Sequence, residues 1–319
     1  MSAIAIEWAG RTDAGRMREN NEDAFAIARL DENGVATALA PTGNDASPSV
    51  SGMLFSVADG VGGQSAGEVA SAMVVAAMAE ELARFDEPPG PLTSRECGNR
   101  LETAVRRTNG RIRQAAAADV ARKDMAATLS CLWTLGSRGF FAQVGDSRLY
   151  RFRARELHQL SHDQSEVGRA VRAGKISEAD GKLTMGRNLL DQALGLRDET
   201  LRPEIDWLEL LPGDVFLLCS DGLVDRLHDS DLAACLDDLL GRGESLEAAA
   251  DALMRRADES QSRDNVTVLL VRAGGTAPAK ASAAVASAPL PGAFSLATLI
   301  ASVVVAAAAG FIAGWLIAS

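Results

Sequence analysis

The sequence has few of the residues that build zinc sites or disulfide frameworks. Its 319 residues include four cysteines and three histidines. Cys97, Cys131, Cys219 and Cys235 are far apart, with no CxxC pair and no histidine at ligand spacing. Zinc sites and disulfide frameworks both need closely spaced or paired ligands. The cysteines are therefore expected to be free core thiols in a reducing compartment.

Basic residues are also in short supply. Lysine and arginine together number 32 against 43 acidic residues, which gives a formal net charge of -11. A nucleic-acid surface needs clustered Lys and Arg to displace counterions from phosphates, so we expect no nucleic-acid partner. The acidic excess fits a site that holds cations. With 47% apolar residues, the chain has enough material for a substantial core in one large or two small domains.

The two ends of the chain differ in hydropathy. Residues 1–8 lack the basic segment and long apolar run of a signal peptide and predict a first strand instead. No charged residue follows Lys280, and residues 293–318 are apolar apart from three hydroxyl residues. Because about 20 residues cross a bilayer, this stretch predicts a transmembrane helix; the alternative is a buried C-terminal helix of a soluble domain. Residues 275–292 are rich in Ala, Ser, Pro and Gly and predict a linker.

These features predict a cytoplasmic body on a single-pass C-terminal membrane anchor, because reduced cysteines and a missing leader both favour the cytoplasm. Gly310 and Gly314 form a small-xxx-small step within the span. Such steps let two helices approach closely, which leaves a homodimer through the span open.

Short β-like runs alternate with longer helical stretches along residues 1–274. The strands are predicted at 53–58, 128–135, 140–144, 148–152, 215–219 and 266–272, and the helices at 68–85, 95–118 and 246–259. Short connections such as 136–139 favour antiparallel pairing over a βαβ repeat. The pattern predicts an α+β fold, an antiparallel sandwich flanked by helices. Residues 31–52 have no clear period and predict a long surface hairpin connection.

Four short acidic signatures lie beside these apolar runs. They are Asn-Glu-Asp at 21–23, Asp-Gly at 59–60, Ser-Asp-Gly at 220–222 and Asp-Asn at 264–265. Taken singly, each Asp-Gly or Asp-Asn is more typical of a turn or helix cap than of a site. Taken together, the carboxylates of Asp23, Asp59, Asp221 and Asp264, with the carbonyl of Gly60, suggest a metal cage. All-oxygen ligands select hard cations such as Mg²⁺ or Mn²⁺ over zinc.

Arg18 adds a second element, because its planar fork can hold two phosphate oxygens just ahead of the first acidic cluster. Two divalent cations that share a hydroxide lower its proton affinity and neutralise phosphoryl oxygens. The combination suggests phosphate-ester hydrolysis.

Five ordered segments resemble the metal-dependent protein phosphatases of type 2C, particularly the bacterial Ser/Thr phosphatases. They are Thr-Asp-Ala-Gly-Arg-Met-Arg-Glu-Asn-Asn-Glu-Asp (12–23), Phe-Ser-Val-Ala-Asp-Gly-Val-Gly-Gly (55–63), Val-Gly-Asp-Ser-Arg (144–148), Ser-Asp-Gly-Leu-Val-Asp (220–225) and Asp-Asn-Val-Thr-Val (264–268). Residues 125–128 and 161–165 are similar to two weaker motifs of the family. The resemblance implies a four-layer α-β-β-α sandwich over residues 1–274 with a two-metal centre at one end.

The resemblance also implies roles for individual residues. The implied metal ligands are Asp59 for both cations, Gly60 with Glu22 or Asp23 for one, Asp221 with Asp264 for the other, and Asp146 with Asp221 for a third, weaker ion. The implied cofactor is Mn²⁺ or Mg²⁺, and Arg18 is the implied phosphate-binding residue. The implied reaction is in-line attack of a metal-activated hydroxide on the phosphoserine or phosphothreonine of a protein, such as a target of a Ser/Thr kinase in signal transduction.

Two departures from the family pattern affect the proton donor and one loop. Some members have a histidine after the second motif's Asp-Gly, whereas this chain has Val61, so a metal-bound water is the expected acid. Gln164 stands where many relatives have histidine. His162 is either a loop residue or part of the site. Residues 164–192 match the family's substrate-choosing flap; Arg187 and Arg197 are either substrate contacts or solvated charges.

Two other functions remain as alternatives. A catalytically silent, membrane-tethered phosphoprotein-binding scaffold would be expected to lose a ligand or Arg18, yet these are present. A calcium module of the EF-hand kind would carry its carboxylates within one twelve-residue loop. Here they are spread from Glu22 to Asp264, which favours the enzyme.

Overall fold

The computed structural model describes residues 4–31, 33–46, 52–62, 66–84, 92–177, 180–181, 184, 189–196 and 200–274. The predicted linker (275–292) and transmembrane helix (293–318) lie outside these residues, as do Arg187 and Arg197. Within the described ranges, no helix is both long and apolar enough to cross a membrane.

The described strands form two antiparallel sheets. The first sheet contains β1 (Ile6–Asp13), β4 (Thr42–Asp45), β9 (Arg148–Arg153), β10 (Glu156–Gln159), β12 (Val215–Cys219) and β13 (Val266–Ala273), in the order β10-β9-β12-β13-β1-β4. The second contains β2 (Asp23–Leu30), β3 (Ala36–Ala38), β5 (Met53–Val61), β7 (Leu129–Leu135), β8 (Arg138–Val144) and β11 (Glu204–Glu209), in the order β11-β8-β7-β5-β2-β3. A two-residue strand, β6 (Ala126–Ala127), pairs with the end of β5.

The described helices lie outside the sheets or at their ends. They are α1 (Ala66–Ala83), α2 (Ser94–Ala118), α3 (Glu166–Arg172), α4 (Asp221–Val224), α5 (Asp229–Gly241) and α6 (Leu246–Glu259), with a 3₁₀ turn at Val120–Arg122. The start of α2 is fixed by a capping box, in which Thr93 and Glu96 satisfy each other's backbone N–H groups. Serine side chains cap α3 and α6 in the same position.

Three apolar layers hold these elements together. Phe55, Phe216 and Leu269 belong to the layer between the two sheets. A second layer packs α1 and α2 against the outer face of the second sheet, and a third packs α5 and α6 against the outer face of the first. The α1 sequence is apolar nearly all round because the helix is covered by both the sheet and α2. The order of layers is therefore helix, sheet, sheet, helix.

The structure confirms the predicted α+β fold with two antiparallel sheets. The predicted strands and helices are present with ends shifted by a few residues, and the first strand runs from Ile6 to Asp13. The predicted hairpin connection at 31–52 is confirmed, because it joins β2 and β5, which pair antiparallel. This segment carries β3, which pairs with β2, and β4, which pairs with β1 in the other sheet, so it links the two sheets at one edge.

Candidate active site

The acidic signatures meet at one end of the sandwich because the strands that carry them end there. In the second sheet, antiparallel pairing sets Asp23 at the start of β2 directly opposite Asp59 near the end of β5. In the first sheet, Cys219 at the end of β12 pairs with Val268 near the start of β13. Asp221 follows β12 and Asp264 precedes β13, so both lie at this edge. Residues some 240 positions apart in the chain are thus brought to one place.

The carboxylates at this edge are close enough to affect the pKa values of one another. Burial raises the pKa of Asp59 well above its ordinary range, and the charges of Asp23, Asp221, Asp146 and Asp264 raise it further. All five acids are predicted ligands. A cluster of this kind is unfavourable unless protons or cations neutralise it.

Asp23 is the most deeply buried of the five, with 7% of its surface exposed. Burial raises its pKa to about 7, although the hydroxyls of Ser220 and Thr267 oppose this shift by donating to Asp23 Oδ2 at 2.6 and 2.8 Å. The other oxygen, Oδ1, is buried and has no hydrogen-bond partner. One half of this carboxylate is therefore held by the protein and the other half is not.

Asp221 and Asp146 also raise the pKa of Asp59. Burial is the main cause that raises the pKa of Asp221, and the charge of Asp146 is the next. The pKa of Asp146 is raised to about 7 by burial and by Asp163, while Arg148 lowers it. Asp221 Oδ1 is a second buried oxygen without a hydrogen-bond partner.

The backbone leaves a small cradle beside Glu22 and Gly60. A Cβ atom added to Gly67 would lie 2.8 Å from Glu22 Oε1 and 3.0 Å from the Gly60 carbonyl oxygen. Glu22 Oε1 and the Gly60 carbonyl oxygen, two predicted ligands of one cation, therefore both lie next to Gly67, which has no side chain to fill the space between them. Burial raises the pKa of Glu22, and Arg18 lowers it.

The donor set fits hard divalent cations. Its atoms are carboxylate and carbonyl oxygens, and two of them are buried and unpartnered. Among the described residues, no three Asp, Glu, His or Cys side chains are close enough to form a finished cage. Bound cations would have to draw the carboxylates inward.

Arg18 lies at the open edge of the cluster, on the loop between β1 and β2. Its Nη2 donates to Asp264 Oδ2 at 2.8 Å, and 48% of its side chain is exposed. The structure thus brings Arg18 to the acidic cluster, with the guanidinium on the solvent side. A phosphate that approaches the carboxylates from solvent would meet it first.

The structure adds two positioning residues that sequence reasoning did not single out. Thr128 Oγ1 accepts the backbone N–H of Asp59 at 2.8 Å and shares a hydrogen bond with Ser147 Oγ at 2.6 Å. Asn265 accepts the N–H of Glu22 at 2.8 Å, and its amide donates at 2.9 Å to two carbonyls of the loop that carries Arg18. Both residues stand inside motifs, but only the folded chain shows what they hold.

The two residues left open in the motif at 161–165 have structural partners. His162 is exposed, and its Nδ1 lies 2.6 Å from Glu204 Oε1. Gln164 braces the turn before Asp146, because its Oε1 accepts the N–H of Gly145 at 3.0 Å and its own N–H donates to the Gly145 carbonyl at 2.9 Å. Gln164 therefore positions the backbone next to Asp146 through hydrogen bonds to Gly145.

Comparison with known proteins identifies the family. A family profile described as "Protein phosphatase 2C" matches residues 44–269, which is more than half of the chain. The chain belongs to the protein phosphatase 2C family. The predicted family, and with it a metal-dependent protein phosphatase, is confirmed.

Individual members of the protein phosphatase 2C family match most of the chain. A "Serine/threonine phosphatase stp" of Listeria welshimeri is 32% identical over 82% of this chain and 93% of its own length. A solved serine/threonine phosphatase of S. agalactiae is 27% identical, with a TM-score of 0.70 over 84% of this chain and 99% of that one. The catalytic domain of PstP, solved in complex with two manganese ions, is 30% identical, with a TM-score of 0.66 over 85% of this chain and 99% of that one.

Proposed function

We propose that this chain is a protein serine/threonine phosphatase that hydrolyses phosphoserine and phosphothreonine with a two-metal-activated hydroxide. The observation that carries the proposal is the cluster of coupled carboxylates around Asp59, with Arg18 at its open edge. The names of the relatives support the activity, and the manganese complex of PstP supports a two-metal centre.

The ligands are assigned by resemblance to the family motifs, and the position of these residues at one end of the sandwich supports the assignment. Asp59 would serve both cations, Gly60 with Glu22 or Asp23 one, and Asp221 with Asp264 the other; Asp146 with Asp221 would serve a third, weaker ion. Mn²⁺ and Mg²⁺ both suit this oxygen set. When bound, the cations lower the pKa of an attacking water and neutralise the phosphoryl oxygens.

Arg18 and Thr128 would position the substrate and the metal ligands, and Val61 cannot act as the acid that protonates the leaving oxygen. Arg18 can hold two phosphoryl oxygens through its planar fork, once it exchanges Asp264 for the substrate. Thr128 holds Asp59 through its backbone N–H. Val61, 45% exposed after Gly60, cannot donate a proton to the leaving serine or threonine oxygen, so water is the proposed donor.

The proposal includes a membrane tether, which rests on the apolar composition of residues 293–318 alone. A single-pass anchor with a cytoplasmic catalytic domain would raise the enzyme's effective concentration toward membrane-bound targets of a Ser/Thr kinase. Fractionation of cells that express the full chain, or residues 1–292, tests it. The tether is refuted if both proteins stay in the supernatant. The same membrane preparation tests whether two spans pair through Gly310 and Gly314.

The activity is tested by Mn²⁺-dependent phosphate release from a phosphothreonine peptide. Release should need Mn²⁺ and vanish in Asp59→Asn. Arg18→Ala should lower kcat/KM about 10- to 100-fold, since hydrogen bonds to charged groups contribute about 1.5–3 kcal/mol. The matched control is Arg16→Ala, which removes an exposed arginine of the same loop that pairs with Asp258 and not with an acid of the cluster; it should change kcat/KM less than about twofold.

Phosphopeptide binding without phosphate release, by wild-type chain loaded with Mn²⁺, would favour the silent phosphoprotein-binding scaffold. Equal effects of the Arg18 and Arg16 substitutions would refute the assignment of Arg18 as the phosphate-binding residue.

A further inference from the structure

A pocket of about 310 Å³ opens beside the acidic cluster. We call it the α3 pocket; it is lined by Asp146 and Asp221 at one end, by Val167, Val171 and Arg172 of α3 on one wall, and by Val224 of α4 on another. The two acids at its inner end are predicted metal ligands. The pocket is therefore continuous with the proposed catalytic centre.

The apolar stripe of α3 is not fully buried by the protein itself. Val167 and Val171 lie one helical turn apart and so share a face. A surface helix normally packs such a stripe into a core, yet α3 has no buried residue. The backbone at Gly181 covers one edge of the two valines, because a Cβ there would lie 3.0 Å from Val167 Cγ1. The remaining valine surface faces the pocket.

The wall helix is fixed to the turn that carries Asp146. Arg148 follows this turn, is 8% exposed, and donates from Nε and Nη2 to the two oxygens of Asp163 at 2.9 and 2.7 Å. Asp163 in turn packs under the first turn of α3, where a Cβ on Gly168 would lie 2.4 Å from its carbonyl oxygen. The distance between the valine wall and Asp146 is thus set by hydrogen bonds and close packing. A pocket held in this way is preorganised.

The charges that line the pocket do not select a charged occupant. Arg148 and Asp163 neutralise each other, and Asp146 and Asp221 would face the metal cations. Arg172 on α3 is exposed, and Asp225 lies on the α4 side. Apart from these charges, the pocket exposes the half-buried side chains of Val167 and Val171, whereas Val224 is buried.

Extended peptides place the side chains of residues two apart on the same side, about 7 Å from each other. With a phosphoresidue at the Asp146 and Asp221 end, the side chain two residues away would enter the α3 pocket. We propose that the α3 pocket receives a medium-sized apolar side chain of the substrate, such as leucine, two residues from the phosphoserine or phosphothreonine. This inference rests on the proposed phosphatase function and adds a substrate preference to it.

The test compares phosphothreonine peptides with Leu, Gly, Asp or Lys two positions before or after the phosphothreonine. The full chain with Mn²⁺ should prefer Leu over Gly at one of these positions by about tenfold in kcat/KM, the value of burying part of a leucine side chain. Val171→Trp fills the pocket and should reduce this ratio to about one. The matched control, Glu166→Trp, adds the same bulk on an exposed α3 residue that does not line the pocket and should keep the ratio.

Hydrolysis of p-nitrophenyl phosphate, which has no flanking residues, separates the two proposals. If neither it nor any peptide is hydrolysed, the phosphatase function fails. If it is hydrolysed but the wild-type enzyme does not prefer Leu at either position, the α3 pocket proposal is overturned. The same holds if Val171→Trp and Glu166→Trp keep the same Leu to Gly ratio, or if Lys or Asp is preferred.

Discussion

Removing a charge from the acidic cluster should stabilise the metal-free protein. Asp23 is the best position, because it is 7% exposed and burial raises its pKa from 3.8 to about 7. When the pKa of a group is higher in the folded state than in the unfolded state, the free energy of unfolding falls as the pH rises from the unfolded pKa to the folded pKa. The wild-type protein should therefore lose stability between about pH 4 and pH 7 and stay at the lower value above that.

The size of the effect follows from the same pKa. At about 1.4 kcal/mol per pKa unit, the rise from 3.8 to about 7 sets a ceiling of about 4 kcal/mol. Asp23→Asn keeps an oxygen that can accept from Ser220 and Thr267, so most of this difference should be recovered. A gain of about 2 to 4 kcal/mol corresponds to an increase of roughly 5 to 10 °C in Tm for a chain of this size.

Calorimetry of the chelated protein at pH 8 and pH 5 measures this effect. Asp23→Asn should melt above wild type at pH 8, with a gap that shrinks by more than half at pH 5. Asp214→Asn is the matched control: this buried aspartate is paired with Arg153, so its substitution should lower Tm. Mn²⁺ should reverse the order of wild type and Asp23→Asn by binding the intact site. A pH-independent gap, or a lower Tm for Asp23→Asn at pH 8, would refute the reasoning.

Two further substitutions test how the site is held. Thr128→Val leaves the buried N–H of Asp59 without its acceptor, which should lower the free energy of unfolding in urea by about 1–3 kcal/mol and weaken Mn²⁺ binding in titrations. The control, Ser130→Ala, removes a buried hydroxyl that has no hydrogen-bond partner and should change stability and Mn²⁺ affinity little. Gly60→Ala would place a Cβ 2.1 Å from the Gly67 carbonyl oxygen and should abolish activity. The control, Gly110→Ala in α2, places a Cβ where no atom lies within 4 Å and should raise stability by about 0.5–1 kcal/mol. Thr128 and Ser130 variants of equal stability, or an active Gly60→Ala enzyme, would contradict these roles.

The sequence predicts the ends of the apolar runs better than the pairing between them. The runs at 53–58 and 215–219 were recognised because their apolar residues are continuous. The strand β2 was not recognised from the sequence, because Asp23 and Arg29 flank a short alanine-rich run that has no clear alternation. The crossing of β4 to the other sheet also has no local signal, since it depends on pairing with β1, more than 30 residues away.

Candidate ligands could be recognised from their motifs, but the groups that position them could not. Asp59 stands out in the sequence as an acid at a strand end. That its N–H is held by Thr128, 69 residues later, is a property of the β5 and β7 ends in the folded sheet. The α3 pocket is a similar case, because it forms only when Arg148 fixes Asp163 and with it the helix that follows.

The position of the acidic cluster explains how the fold tolerates it. Each carboxylate stands at a strand end, where three apolar layers fix the backbone and the repulsion between acids cannot spread the strands. The protein compensates only part of the charge: hydroxyls hold one oxygen of Asp23, and Arg18 meets Asp264 from solvent. The remaining oxygens of Asp23 and Asp221 stay buried without hydrogen-bond partners. The repulsion between these acids lowers the stability of the metal-free protein, and bound cations would relieve it. Replacement of cluster acids by amides should therefore raise the stability of the metal-free protein and lower its affinity for cations.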